Sequence, residues 1–301
     1  MKPLKVRRPL LATAAISIMT VLAAGCGAST TAATTAATSA TPTPSGSLAS
    51  QVPSAIRSKG TLIVAADATY APNEFIGSDG KTVVGMDADM AKAVGQALGL
   101  KVNMVNATFD TIIPGLVSGK YDLGMSSFTD TKAREKVVNF VTYFVAGTSF
   151  YVKSSGGPPI TSLAGLCGHT VAVEKGTTQQ ADAAGQTAKC QASGKAAVTV
   201  QVYNDQNAVN LALSSGRAQV AMADSPVAEY QVRLSNGMFK LSGAPYGTAP
   251  YGIAIPKTSG MTQPVLAAVK KIMADGTYKK ILSKWGLQAG AISNPAVNAG
   301  Q

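Results

Sequence analysis

The chain has 301 residues, with 26 Lys and Arg against 15 Asp and Glu, one histidine, three cysteines and a formal net charge of +11 at pH 7. Four of those charges (Lys2, Lys5, Arg7 and Arg8) fall at the extreme N-terminus, which leaves +7 for the rest. The other basic residues are scattered, without the basic run or interleaved aromatics of a nucleic-acid binder, and the lone His169 has no CxxC or HxxxH spacing around it to suggest a metal site.

Residues 1–25 have the charged head, apolar run (Pro9–Ala24) and small-residue end of a secretory signal. The run is too short and too soft for a membrane span. Leu22-Ala23-Ala24-Gly25-Cys26 closes it, and a cysteine directly after Ala-Ala-Gly resembles the lipobox of bacterial lipoproteins, although the preferred leucine sits one place early. This resemblance implies a lipid anchor on Cys26 at the outer face of the cell membrane. A plain secreted protein with an unpaired Cys26 is the alternative. Residues 26–55, dominated by Ala, Thr, Ser and Pro and without any charge, cannot bury enough apolar surface to offset the entropy of ordering. They are expected to be a disordered tether, open to O-glycosylation.

The body then alternates short β-branched runs with helical patterns, the signature of an α/β fold with mainly parallel sheets. Thr61–Ala66 reads as a buried strand, 87–98 as a helix stopped by Gly99, and Lys101–Val105 as the next strand. A short helix over 111–118, a strand over 121–125 and helical residues 132–138 follow. After an apolar crossing strand, 148–153, the pattern begins again: strands at 171–173, 198–203 and 219–223, with helices at 177–188, 208–214 and 225–234. The chain returns through YGTAPYGIAIP, and 263–275 and 278–284 are closing helices. This predicts two lobes joined by two hinge crossings, 56–147 with 249–301 and then 148–248, with Gly147 and Gly247 near the crossings and a ligand cleft between the lobes. Cys167 and Cys190 form an even pair in an exported chain. A disulfide is expected, closing a loop of about 24 residues for about 3 kcal/mol on the chain-entropy account.

Within this frame YDLGMSSFTDTKAR (121–134) places hydroxyls and open N–H groups at a strand end, with a guanidinium just beyond. Arginine's planar fork matches a carboxylate, and charge-assisted bonds of this kind are strong. Capping by Ser127 and Thr129 and a solvated Arg134 is the plainer reading.

The order of motifs resembles the family 3 solute-binding proteins of polar amino-acid ABC importers from about Leu62 to Gly286. It is carried by ADATYAPNEF (66–75), GMDADMAKAVGQALG (85–99), FDTIIPGLVSGKYDLGMSSFTDTKAR (109–134), VAVEKGTTQQ (171–180), ADSPVAEY (223–230), APYGIAIPK (249–257) and MADGTYKKILSKWG (273–286). The resemblance implies a two-lobed periplasmic-binding-protein-like fold. It also implies that Tyr70 and Phe109 stack on the ligand's aliphatic part, and that the Ser127 backbone, Thr129 and Arg134 hold an α-carboxylate which Thr178 reaches from the other lobe. Asp224 would take the α-ammonium, and Asp67 falls where family members contact a polar or basic side chain. An acid at Asp67 favours a ligand with a distal cation over a neutral one such as glutamine. Asn73, where an aromatic is common, and Phe128, often aliphatic, depart from the family pattern near the ligand's side chain. Without the resemblance, Tyr70 and Phe109 read equally as core aromatics and Asp224 as a helix N-cap.

The function implied is a monomeric extracytoplasmic amino-acid receptor serving the permease of an ABC importer, with no cofactor and no nucleic-acid partner. A dehydratase of the cyclohexadienyl type on the same scaffold is the enzymatic rival. It would need a general acid from Glu74, Asp67 or Glu174, with His169 expected on the surface or a loop. A ligand-sensing domain is the third reading.

Overall fold

The computed structural model describes residues 48–300, so the signal segment, Cys26 and most of the tether lie outside the described residues. Regular structure is present before the tether's expected end at 55. Leu48–Gln51 makes a 3-10 turn, Leu48 packs on the first-lobe core and Val52 is buried in it, because these are the apolar residues of an otherwise small and polar stretch.

In the first lobe, helix α1 (Ser54–Lys59) ends at Gly60, whose φ of 67° suits glycine, and leads into strand β1 (Thr61–Ala66). A small antiparallel sheet follows, made of β2 (Thr69–Tyr70), β3 (Glu74–Ile76) and β4 (Val83–Val84). Helix α2 (Met86–Ala97) and strand β5 (Lys101–Asn106) come next, the strand parallel to β1 in the register Thr61↔Lys101. Helix α3 (Phe109–Val117), strand β6 (Leu123–Gly124) and the single turn α4 (Lys132–Glu135) lead to β7 (Val138–Lys153).

The second lobe repeats strand and helix: β8 (Thr170–Glu174), α5 (Thr178–Ala192), β9 (Thr199–Tyr203), α6 (Gln206–Ser214), β10 (Val220–Asp224) and α7 (Ser225–Leu234). Strand β11 (Phe239–Pro256) returns the chain to α8 (Thr262–Ala274) and α9 (Thr277–Trp285) on the first lobe. Strands run in the order β5-β1-β6-β11-β7-β10-β8-β9. Each end of that order is parallel, and the antiparallel pair β7 and β11 forms both crossings and continues from one lobe's sheet into the other's. This is the two-lobed fold with parallel-rich sheets.

Two element boundaries differ from expectation for one reason. The strand expected over 121–125 shrinks to two residues, and the helix expected over 132–138 stops at Glu135, because Val138 opens a 16-residue β7 that pairs with β11 along its length. The mostly apolar run VNFVTYFVAGTSFYVK is half first-lobe strand and half crossing, so the strand begins ten residues before Thr148. Irregular register between Ser242, Tyr246 and Ala249 marks where the pair bends at the hinge.

One apolar core fills the first lobe between α2, α8, α9 and the sheet, and a second lies under α5 in the other lobe. A third cluster spans both, joining Tyr70, Phe109 and Phe128 to Tyr151, Ala172 and Ala223. The lobes are therefore closed on each other.

Cys167 and Cys190 are bonded, tying the start of the second lobe to α5, with Cys190 fully buried. Thiol titration of denatured, unreduced protein carrying Cys26→Ser should find no free thiol. The double change Cys167→Ala, Cys190→Ala should lower unfolding stability by about 3 kcal/mol in urea. Two free thiols would contradict the pairing.

Candidate functional site

The first-lobe half of the site is built on the turn after β6. Ser127 has φ 49°, a left-handed conformation that costs a non-glycine residue about 1–3 kcal/mol and persists only where its surroundings enforce it. Here Asp87 at the start of α2 accepts the Ser127 N–H at 2.9 Å and the Tyr143 hydroxyl at 2.7 Å. The Ser127 hydroxyl accepts from Asn73 Nδ2 at 2.9 Å and donates to Glu74 Oε2 at 3.2 Å. Asn73, Glu74 and Asp87 have no exposure. Burial pushes Asp87 up to about 6, and burial together with the Asp87 charge pushes Glu74 well above the carboxylate range, so the pair holds a proton.

Glu74 thus sits beneath the site rather than in the cleft, and so do Asn73 and Phe128, which were expected near the ligand's side chain. Phe128 stacks on Phe109 with centroids 4.5 Å apart. Tyr70 meets the edge of Phe109 at 5.9 Å. The Arg134 guanidinium lies over both phenylalanines, 5.2 Å from the Phe109 centroid and 5.4 Å from that of Phe128, an arrangement that favours a cation.

Arg134 is aimed by its own turn. Thr131 caps α4 by accepting the Arg134 N–H, while Nη1 donates to the Thr129 carbonyl at 2.8 Å. Nη2 crosses the cleft to the Gly176 carbonyl at 3.0 Å. Burial lowers the arginine's proton affinity, but a guanidinium stays charged.

The second-lobe half comes from two helix N-termini. Thr177 caps α5 by accepting from Gln180 N at 3.2 Å, leaving Thr178 and Gln179 at the first turn, where backbone N–H groups face outward. Asp224 precedes α7 in the N-cap position, yet its carboxylate makes no capping bond. Its oxygens accept instead from Gln179 Nε2 and from the Tyr251 hydroxyl of β11, both at 2.6 Å. Burial outweighs these bonds and the Arg134 charge and raises Asp224 to about 6.

Other contacts join the lobes. Lys175 pairs with Asp110 at 2.8 Å, and the Gln206 N–H donates to Thr69 Oγ1 at 3.2 Å. Gly176 (φ 79°) packs on Asp110, whose Cβ would lie 3.0 Å from any added Cβ.

Seven of the eight expected ligand residues (Tyr70, Phe109, Ser127, Thr129, Arg134, Thr178 and Asp224) line one space between the lobes. Thr177, Gln179, Gln206, Ala223 and Val227 line it too. Asp67 does not. It is buried behind the aromatics, accepting from Phe109 N at 3.0 Å and from Thr69 Oγ1 at 2.7 Å. His169 sits at the second lobe's edge beside Gln219. Among the described residues no acidic, histidine or cysteine group is arranged to hold a metal ion.

The model for bacterial extracellular solute-binding proteins, family 3, matches residues 62–288. The arginine-binding protein ArgT of Corynebacterium glutamicum is 31% identical over 258 residues, covering 85% of this chain and 84% of that protein. Among solved structures, an ancestral arginine-binding protein bound to arginine superposes with a TM-score of 0.68 at 36% identity, covering 75% of this chain and 98% of that one. An ancestral amino acid-binding protein that is a precursor of cyclohexadienyl dehydratase superposes with a TM-score of 0.68 at 34% identity, covering 77% and 97%.

The Glu74–Asp87 pair makes its own prediction. Both folded-state values lie above those of an unfolded chain, so the contribution is fully present below about pH 4 and is lost as pH rises through about 6 and beyond. Urea midpoints of ligand-free protein should therefore fall between about pH 4.5 and pH 8, and Glu74→Gln, which removes that residue's share of the titration and leaves Asp87's, should make the fall shallower. An unchanged slope would contradict a shared proton.

Proposed function

From the premise that the chain belongs to the bacterial extracellular solute-binding proteins, family 3, we propose that it captures a free α-amino acid with a basic side chain and presents it to the permease of an ABC importer. It is an extracytoplasmic amino-acid receptor, not an enzyme. The dehydratase reading finds no support, since even the precursor of that enzyme among its relatives is an amino acid-binding protein.

The observation that carries the reading is a pair of opposite charges, Arg134 from the first lobe and Asp224 from the second, facing one enclosed space without pairing. Arg134 spends donors on two carbonyls, and Asp224 spends its oxygens on Gln179 and Tyr251. A guanidinium has five N–H groups, so donors remain for a carboxylate, which Ser127, Thr129 and the Thr178 N–H would complete. Asp224 would take the ammonium, and Tyr70 and Phe109 would cover the methylenes between. A zwitterion needs this combination of one cation, one anion and neutral dipoles. By binding both lobes it would stabilise the closed form, the state for a permease to recognise. A basic ligand agrees with the arginine-binding relatives. The tether would hold the body to the membrane through an acylated Cys26.

Calorimetry with the twenty amino acids tests this reading. L-Arginine or L-lysine should bind tightest, and Arg134→Ala should weaken binding by about thirtyfold to several thousandfold while leaving thermal unfolding nearly unchanged. Binding within threefold of the parent would refute the carboxylate assignment.

A further inference from the structure

Residues 291–300 lie beyond residue 288, where the family match ends, and none of them lines the cleft. They run instead along the first lobe. Strand β7 has β11 on one side, but on the other β10 pairs only with Thr148–Val152, so the first half of β7 would present an open edge of unpaired backbone groups. The segment covers that edge through antiparallel bridges Phe144↔Ala291 and Val141↔Val297 and a bond from Thr142 N to the Ala296 carbonyl at 2.9 Å. It is also pinned to α9, where the Tyr278 hydroxyl accepts Ile292 N–H at 2.8 Å.

Asn298 makes the corner at the end of this run. It adopts φ 53°, which asparagine tolerates better than most residues, and its side chain accepts from Phe140 N at 2.8 Å. Past the corner, two successive N–H groups each meet an acid: Ala299 donates to Asp130 Oδ2 at 2.8 Å and Gly300 to Glu135 Oε1 at 2.9 Å. Gly300 lies so close to Asp130 that an added Cβ would fall 2.6 Å from its carbonyl oxygen.

These two acids bracket α4, the single turn that carries Arg134. A four-residue turn without a buried residue does not hold itself, because helix nucleation fixes several dihedrals for one bond. The bracketing acids also repel each other. Burial, and then the Glu135 charge, raise Asp130 to about 6. Lys132 answers Glu135 at 3.2 Å from a largely exposed position, and the segment supplies one N–H to each carboxyl from the other direction. Charge-assisted bonds from adjacent residues of one anchored segment thus fix both ends of the turn.

We propose that residues 291–300 form a strap that positions Arg134, with Asp130 and Glu135 as its anchors, so that the hold on the ligand's carboxylate depends on residues outside the cleft. This rests on the proposed function above. The strap adds no ligand contact. It removes in advance the freedom that the turn would otherwise lose on binding, which is how pre-organisation raises affinity.

The test is titration calorimetry of the full chain with L-arginine and L-lysine, at a temperature where every variant is folded. Gly300→Val, whose side chain has no room against Asp130, should lift the end of the strap and weaken binding by about tenfold or more, and Asp130→Ala should do the same. Asp130→Asn keeps an oxygen for Ala299 N–H and offers an amide to Glu135, so it should bind within about threefold of the parent. The double change Cys167→Ala, Cys190→Ala destabilises the other lobe and should leave affinity unchanged, which separates positioning from general stability. Hydrogen exchange of ligand-free Gly300→Val should be faster than in the parent over residues 131–136. Parent-like binding by Gly300→Val and Asp130→Ala, an Asp130→Asn no better than Asp130→Ala, or unaltered exchange over 131–136 would overturn the strap alone. Failure of every amino acid to bind the parent would overturn the function as well.

Discussion

Everything in the cleft depends on keeping a half-buried arginine and a half-buried aspartate from finding each other. Left free, Arg134 and Asp224 would form an ion pair and leave nothing for a zwitterion to bind. The protein prevents this by occupying each with neutral dipoles. Arg134 is tethered to the carbonyls of Thr129 and Gly176 and laid on Phe109 and Phe128, and Asp224 is held by Gln179 and Tyr251. Neutral partners lower the cost of burying each charge without cancelling it. On the proposed function, this arrangement would pre-organise the site for a molecule carrying both charges a short distance apart.

This arrangement also sets how the lobes communicate. Direct bonds across the cleft are few, and the Asp110–Lys175 pair is partly exposed, a type worth little. Closure in the absence of ligand therefore gains little from polar contacts, and the charges that the lobes contribute separately supply the bias once a ligand bridges them. The bend lies where β7 and β11 pair irregularly. Gly147 there approaches the Tyr246 carbonyl so closely that a Cβ would sit 2.8 Å away, and Gly247 adopts φ 61°. Tyr251 and Ser225 link the hinge strands to the ligand loops through Asp224 and Gly147, so movement at the crossing and occupancy of the site are mechanically joined.

Most of this was legible in the sequence because it rests on local pattern. The repeated strand–helix alternation gave the two lobes, and the resemblance to the family 3 receptors implied seven residues that line one space. What stayed hidden depends on long-range packing. Asp67 precedes Tyr70 by three residues and looks like a cleft acid, but one oxygen accepts from a backbone N–H 42 positions later and the other from the Thr69 hydroxyl. Glu174 was visible as a candidate acid, yet only the structure shows it buried to 1% exposure. Asn73, Glu74 and Asp87 come from separate segments and meet only around the strained Ser127, so no spacing announces them. The long β7 was obscured because its first residue, Val138, reads as the end of a helix and no element was expected over 139–147. Cys167 and Cys190 were predictable from parity and export alone.

The most direct test of this account is a crystal structure of the chain with L-arginine. The account requires the α-carboxylate on Arg134 and the Thr178 N–H, the α-ammonium on Asp224, and the methylenes between Tyr70 and Phe109. A ligand bound in the reverse sense, with its guanidinium at Asp224, or one held by a single lobe with Arg134 and Asp224 paired to each other, would contradict it.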